Sequence, residues 1–248
     1  MSIRLAHVSD LHAVADQEAV LSGRRSAETL RATLDAFAAD GPPDALILTG
    51  DIADDATPAA YSWVADMCRG AAPITRWLAG NHDDPRAMEE PGLLPTGGAT
   101  IGLWDYVPIA TFLPGKHHGG VGADQLASLD ALLTAHGDRY VVLGIHHPPL
   151  HQVCPHVDCQ VEDAAALLEV IARHRCVRVV LSGHLHSQFE ISRDGVQFLG
   201  APSSWLQIEH TEEPHYVPNE QPPAGREVIL GDDGSVTSRI IGAAWRPA

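Results

Sequence analysis

Five apolar runs in this chain each stop at a cluster of possible ligands, and that repeated pattern limits the folds open to it. They are "IRLAHVSD" (Ile3 to Asp10), "DALILTGD" (Asp44 to Asp51), "ITRWLAGNHD" (Ile74 to Asp83), "YVVLGIHH" (Tyr140 to His147) and "VRVVLSGHLH" (Val177 to His186). Each reads as a buried strand. Between several of them lie helical patterns: "SAETLRATLDAFAAD" puts Leu30, Leu34 and Phe37 on one face, and "TPAAYSWVADMC" opens with Thr57 as N-cap and Pro58 at the first helical position. "ADQLASLDALLTAH", with Asp124 as its cap, and "VEDAAALLEVIARH" repeat the idea. Strands alternating with helices predict a layered α/β fold with parallel pairing, in which ligands gather beyond the carboxyl ends of the strands.

From Gln188 onward the character changes. "FEISRDGVQFLG" and "EVILGDDGSVTSRII" each read as two short strands, turning at Asp194-Gly195 and Asp233-Gly234, so the C-terminal segment is expected to be antiparallel. "EEPHYVPNEQPPAG", rich in proline and acid, reads as a loop or lid, and "LLPTGGATIG" as a turn region. A chain of 248 residues suits one domain over residues 1–248, with a metal-binding core over 1–186 and the remaining strands and hairpin over 187–248.

Composition excludes several functions. Hydrophobic residues make up 45% and charged residues 19%, which is ordinary for a packed domain. A formal net charge of −16 weighs against duplex nucleic acid and anionic membrane as partners, because both need a cationic face. No run approaches the roughly 20 apolar residues of a membrane span, and "MSIRLAHVSDLH" is not a basic-then-apolar leader, so a soluble cytoplasmic protein is expected, with a homo-oligomer left open. Cys68, Cys154, Cys159 and Cys176 are too few and too unevenly placed for a disulfide framework, which makes reduced thiols the expectation.

The strand ends supply the chemistry. Asp10 and His12 close the first run, Asp51 the second, Asn81 and His82 the third, His146 and His147 the fourth, and His184 and His186 the fifth. If the last run continues as a strand, His184 and His186 project to one side with Leu185 opposed. Carboxylate, amide and imidazole without thiolate suit Mn, Fe, Co or Zn rather than calcium. Even seven of these nine donors exceed the need of one ion and fit a pair sharing a carboxylate. His147 is expected to turn to the far face of its strand, Asp54 to cap a helix or support a ligand, Asp84 to shape the turn before Pro85, His117 and His118 to be exposed, and His7 to lie in the core.

The ordered blocks "DLH" (Asp10 to His12), "GD" (Gly50, Asp51), "GNHD" (Gly80 to Asp83), "HHPP" (His146 to Pro149) and "GHLH" (Gly183 to His186) resemble the calcineurin-like metallophosphoesterase family. The resemblance implies a four-layer α/β/β/α sandwich holding two divalent or trivalent ions of Mn, Fe, Zn or Co. It assigns Asp10, His12 and His186 to the first ion, Asn81, His146 and His184 to the second, and Asp51 to both. His82 would contact the phosphate and protonate the leaving oxygen, with Asp83 orienting its ring; Asn81 would also touch substrate, and a metal-bridging hydroxide would attack phosphorus.

Length, "DLH", "HHPP" and the later "GAPSSWLQ" (Gly200 to Gln207) look most like the bacterial cyclic-nucleotide and glycerophosphodiester phosphodiesterases of that family. A small phosphodiester is therefore the expected substrate, with a phosphomonoesterase or nucleotide pyrophosphatase as one alternative and a non-catalytic interaction module of the same fold as another. Trp205, His215 or Tyr216 could contact a base or pack the terminal hairpins. "HQVCPHVDC", with His151, Cys154, His156 and Cys159, could hold zinc, form a disulfide or only shape access to the site.

Overall fold

The computed structural model describes residues 2–154, 156, 159–211 and 216–245. Its architecture follows from which face of each strand is apolar. Strands β1 (Ser2–Val8), β2 (Ala45–Thr49) and β3 (Ile74–Leu78) run parallel. The C-terminal hairpin of β12 (Ala224–Gly231) and β13 (Val236–Gly242) adds antiparallel to β1, giving a sheet ordered β13-β12-β1-β2-β3. The second sheet is ordered β4-β5-β6-β7-β9-β8 and contains β4 (Ala99–Ile101), β5 (Trp104–Pro108), β6 (Tyr140–Gly144), β7 (Val177–Ser182), β8 (Phe189–Arg193) and β9 (Val196–Gly200).

Both sheets are covered on both faces, which explains the continuous apolar runs. Between the sheets meet Leu5, Ile47, Val142, Val179, Leu181 and Val228. The neighbouring residues along the same strands point the other way. Ala6, Val8, Leu46 and Leu48 pack under helices α1 (Ser26–Ala38) and α2 (Pro58–Cys68). Val141, Leu143 and Val180 pack under α3 (Ala123–Thr134) and α4 (Ala164–Arg173). The order of layers is therefore α/β/β/α. Among the described residues no helix is long and apolar enough to cross a membrane.

Several local expectations change. Thr57 caps α2 by accepting the Ala60 amide at 3.3 Å, but Asp124 does not cap α3. The amides of Val121 and Gly122, just before that helix, donate to Asp163 instead, at 2.9 and 2.6 Å. The proline-rich stretch read as a loop holds β11 (Tyr216–Asn219), which pairs antiparallel with β10 (Gln207–His210). Buried Arg24 secures the base of that ribbon by donating to the carbonyls of Trp205, Asn219 and Gln221. Strand β9 is antiparallel to β8 but parallel to β7, so the chain after Gln188 is mixed rather than antiparallel throughout.

Leu181 is fully buried between the sheets, two residues before the Gly183 turn. Leu181→Ala should lower stability by about 2–5 kcal/mol, read by equilibrium urea unfolding.

Candidate metal centre

The strands end before the donors begin. Strands β1, β2 and β7 stop at Val8, Thr49 and Ser182, and the chain then enters left-handed turns. Asp10, His12, Asp51, His184 and His186 have φ of 54°, 47°, 48°, 70° and 49°. Such backbone costs a non-glycine residue on the order of 1–3 kcal/mol and persists only where its surroundings enforce it. Here the turns interlock: the amides of Leu11 and His12 both donate to the Asp51 carbonyl at 2.9 and 3.0 Å, and the His184 amide donates to the Asp10 carboxylate at 3.0 Å. Gly183 and Gly80 allow the close approach, since a Cβ there would strike Ser9 Oγ and the Asp51 carboxylate respectively. The strand alternation predicted for His184 and His186 does not apply, because β7 has already ended. His186 instead turns toward His12 and His184 toward His146, with ring centroids 4.8 and 5.1 Å apart.

The imidazoles are arranged so that lone pairs converge. His186 Nδ1 donates to the Leu206 carbonyl at 2.7 Å, His12 Nδ1 to Asp54 at 2.9 Å and His146 Nδ1 to the Thr49 carbonyl at 2.7 Å. With those protons committed, each ring in its neutral form would present an unprotonated Nε2. At His146 burial is outweighed by the Asp51 carboxylate, which lifts the pKa to about 9, so a proton and a metal ion compete for that nitrogen. His12 Nε2 and His186 Nε2 lie 3.0 Å apart, while His146 Nε2 lies 3.1 Å from Asn81 Oδ1. Asp51 joins the two sets, with Oδ2 3.7 Å from His12 Nε2 and Oδ1 3.4 Å from His146 Nε2. Asp10 Oδ1 lies 3.6 Å from His186 Nε2, and burial pushes its carboxyl up to about 6. Acceptors facing acceptors in a buried site repel unless a cation lies among them, so this donor set fits metal ions. Asp10, His12, Asp51 and His186 each offer a ligand atom within 4.8 Å of one another, as do His146, His147 and His184.

His147 departs from expectation. Its ring does not turn away but lies 4.4 Å from that of His184. Its Nδ1 pairs with the Thr111 hydroxyl and its Nε2 with the His117 carbonyl, each at 2.8 Å, so the ring braces His184 with both nitrogens already occupied.

Asp83 departs more sharply. It was expected to orient His82, yet its buried carboxylate accepts from the amides of Gly80, Ile52 and Ala53 and from the Tyr61 hydroxyl at 2.8 to 3.1 Å. Adjacent side chains in a turn diverge, and Asp83 points inward to clamp the loops while burial pushes its pKa up to about 6. Asp54 faces the ring instead, 3.2 Å from His82 Nδ1 and 2.9 Å from His12 Nδ1. The hydrogen bond to Asp54 raises the His82 pKa, while the bonds from His12 and His82 hold Asp54 well below the usual carboxylate range. The three-residue step from Asp51 to Asp54 was the available sequence signal.

His82 stands at the wall of a pocket of about 400 Å³, within the roughly 300–1,000 Å³ of small-molecule sites. Trp205, Leu206, Ile208, His210 and Tyr216 form its other side. The Trp205 ring lies 4.9 Å from that of His12, tilted by 41°, so it faces the site. His215 lies outside the described residues. Cys154 and Cys159 are joined by a disulfide, against the expectation of reduced thiols, while Cys68 and Cys176 are free. His7 is a core residue bonded to Thr49 at 2.8 Å, His117 is exposed, and His118 is half-buried against Glu162.

The fold and this donor set define a metallophosphoesterase. The profile of the calcineurin-like phosphoesterase family matches residues 3–188, and the chain belongs to that family. A 3′,5′-cyclic-nucleotide phosphodiesterase of Nostoc sp. is 29% identical, with 97% of this chain and 92% of that one aligned. A 3′,5′-cyclic adenosine monophosphate phosphodiesterase of Escherichia coli is 28% identical over 96% of this chain and 89% of its own. Among solved structures, a dimetal phosphatase from Danio rerio superimposes with a TM-score of 0.68 at 16% identity, covering 98% of this chain and 99% of that one. The family implies a dinuclear metal centre.

Removing the hydrogen-bond partner of a metal-ligating imidazole commonly weakens metal binding about 10–100-fold. Asp54→Asn should therefore lose one ion to a competing chelator at correspondingly lower chelator concentration, with the other ion retained, measured by metal analysis after dialysis.

Proposed function

We propose that the chain is a dinuclear-metal phosphodiesterase acting on a small phosphodiester, a 3′,5′-cyclic nucleotide or a glycerophosphodiester. The observation that carries this reading is the pocket lining. It joins the converging donors, His82 paired to the Asp54 carboxylate and an apolar wall, and among the described residues it contains no lysine or arginine. A monoanionic diester needs less positive charge from the protein than a dianionic monoester, so such a lining favours the diester. The relatives described as cyclic-nucleotide phosphodiesterases support the same choice.

Asp10, His12 and His186 would hold one ion and Asn81, His146 and His184 the other, with Asp51 shared; N and O donors suit Mn, Fe, Zn or Co. Held there, such ions would supply charge against the phosphoryl oxygens and lower the pKa of water. Hydrolysis adds the oxygen of water to phosphorus and breaks the bond to the leaving oxygen. His82 binds the phosphate and gives its Nε2 proton to that oxygen. Asp54 accepts from His82 Nδ1, which holds the ring with Nε2 toward the pocket. Trp205 and Tyr216 wall the space for a base or glycerol. The complete donor set disfavours a non-catalytic interaction module.

His82→Ala should keep its metal content and lose roughly 10²–10⁴-fold in turnover of cyclic AMP. The loss on bis-p-nitrophenyl phosphate should be much smaller, because nitrophenolate leaves without a proton. Equal losses on both would remove His82 as the acid. Faster turnover of p-nitrophenyl phosphate than of either diester would establish the phosphomonoesterase reading instead.

A further inference from the structure

A second set of donors sits behind the Gly183–His186 turn, unused by the chemistry above. Cys154 and Cys159 are buried, at 1% and 3% exposure, in an apolar cluster with Leu185. The sequence pairs them with His151 and His156, but the structure brings His210 instead. Its Nδ1 lies 3.7 Å from Cys154 Sγ, across 56 residues of chain. His156 turns its Nε2 to the Thr211 carbonyl, 2.8 Å away.

The tautomer of His210 follows from its other nitrogen. Nε2 lies 2.6 Å from the Leu185 carbonyl, which can only accept, so Nε2 carries the proton and Nδ1 carries a lone pair aimed at sulfur. A disulfide sulfur has no hydrogen to give that lone pair. Two sulfurs and one imidazole nitrogen lie within 4.8 Å of one another. An imidazole buttressed by a backbone carbonyl is the usual arrangement of a metal-bound histidine.

We propose that Cys154, Cys159 and His210, once the disulfide is reduced, form a third metal site for a thiophilic divalent ion such as Zn²⁺. A dithiol or phosphine reductant supplies two electrons to the Sγ–Sγ bond, and two protons from solvent complete the thiols. The ion then displaces both thiol protons and binds two thiolates and Nδ1, leaving one position of a tetrahedron for water or a further donor. Thiolate donors separate this site from the nitrogen and oxygen centre next to it.

The site would act on its neighbour through Leu185. That residue lies between His184 and His186, packs its side chain on the two sulfurs and gives its carbonyl to His210. Cys159 and His210 also line the same pocket as His82. The disulfide and the ion exclude each other, so the redox state of the pair decides which of two braces supports the turn.

Cobalt provides the test, because thiolate-to-cobalt charge transfer absorbs in the near ultraviolet and the centre of nitrogen and oxygen donors lacks thiolate. Holoenzyme reduced with a phosphine should gain that band and one further equivalent of metal per chain, while oxidised holoenzyme and the reduced C154S/C159S double variant should gain neither. His210→Ala should bind the extra ion at least ~10-fold more weakly. A band and metal count in reduced wild type no different from those of the double variant would overturn the proposal. Should the double variant misfold, reduced wild-type protein decides alone: Zn²⁺ should protect Cys154 and Cys159 from alkylation, read by peptide mass, and undiminished alkylation with Zn²⁺ present overturns the site.

Discussion

Both halves of the centre close on the carboxylate of Asp51. One of its oxygens faces His12 and the other faces His146, while its carbonyl receives the amides of Leu11 and His12 and its side chain receives the amide of His82. Three separate turns are thus tied to one residue. The cost is local: Asp10, His12, Asp51, His184 and His186 sit in left-handed backbone, and the buried carboxylates of Asp10 and Asp51 are stripped of water. A cation that binds only the folded arrangement returns part of that cost, so metal binding and stability are linked by mass action.

The orientation of the imidazoles depends on groups far from them in sequence. His146 is fixed by the Thr49 carbonyl, His186 by the Leu206 carbonyl and His12 by Asp54. Two of these partners are main chain, which any residue could supply, provided that β2 ends at Thr49 and the Ser203 turn places Leu206. Ser203 does so with its hydroxyl, donating to the Asp10 carbonyl at 2.7 Å and accepting from the amides of Trp205 and Leu206. The segment after the second sheet is therefore part of the centre as well as a wall of the pocket.

The legible features in the sequence were those with a local cause. Apolar runs of strand length gave the strands β1, β2, β3, β6 and β7, since residues buried on both faces must be apolar on both. The Thr57-Pro58 start of α2 and the two Asp-Gly hairpins rest on turn and cap chemistry within a few residues. Features with distant causes stayed hidden. Strand β11 exists because β10 offers it hydrogen bonds, against its own proline and acid. The turn of His184 and His186 could be read as a strand continuation because its left-handed conformation is imposed by contact with the Asp10 loop. The resemblance assigned Asp83 to His82, whereas the direction of a side chain in a tight turn is set by the backbone it can bond, and Asp83 bonds the amides of Gly80, Ile52 and Ala53. His210 joined the cysteines only through the pairing of β10 with β11.

Charge completes the connection between centre and substrate. At −16 the molecule as a whole repels an anionic ester, but at about 0.1 M salt that repulsion fades over roughly 10 Å and leaves the local field in control. Without a basic side chain in the described lining, the function proposed above leaves attraction at the end of approach to whatever cations Asp10, Asp51 and the histidines would hold, together with His82, whose pKa the Asp54 hydrogen bond raises. Recognition of the phosphate and its hydrolysis then draw on the same few groups. On that proposal, shape and apolar contact at Trp205 and Tyr216 would be left to distinguish one ester from another, and such contacts discriminate by only about 1–3 kcal/mol for a small apolar difference. A pocket built this way would separate diesters from more highly charged esters better than it would separate one diester from the next.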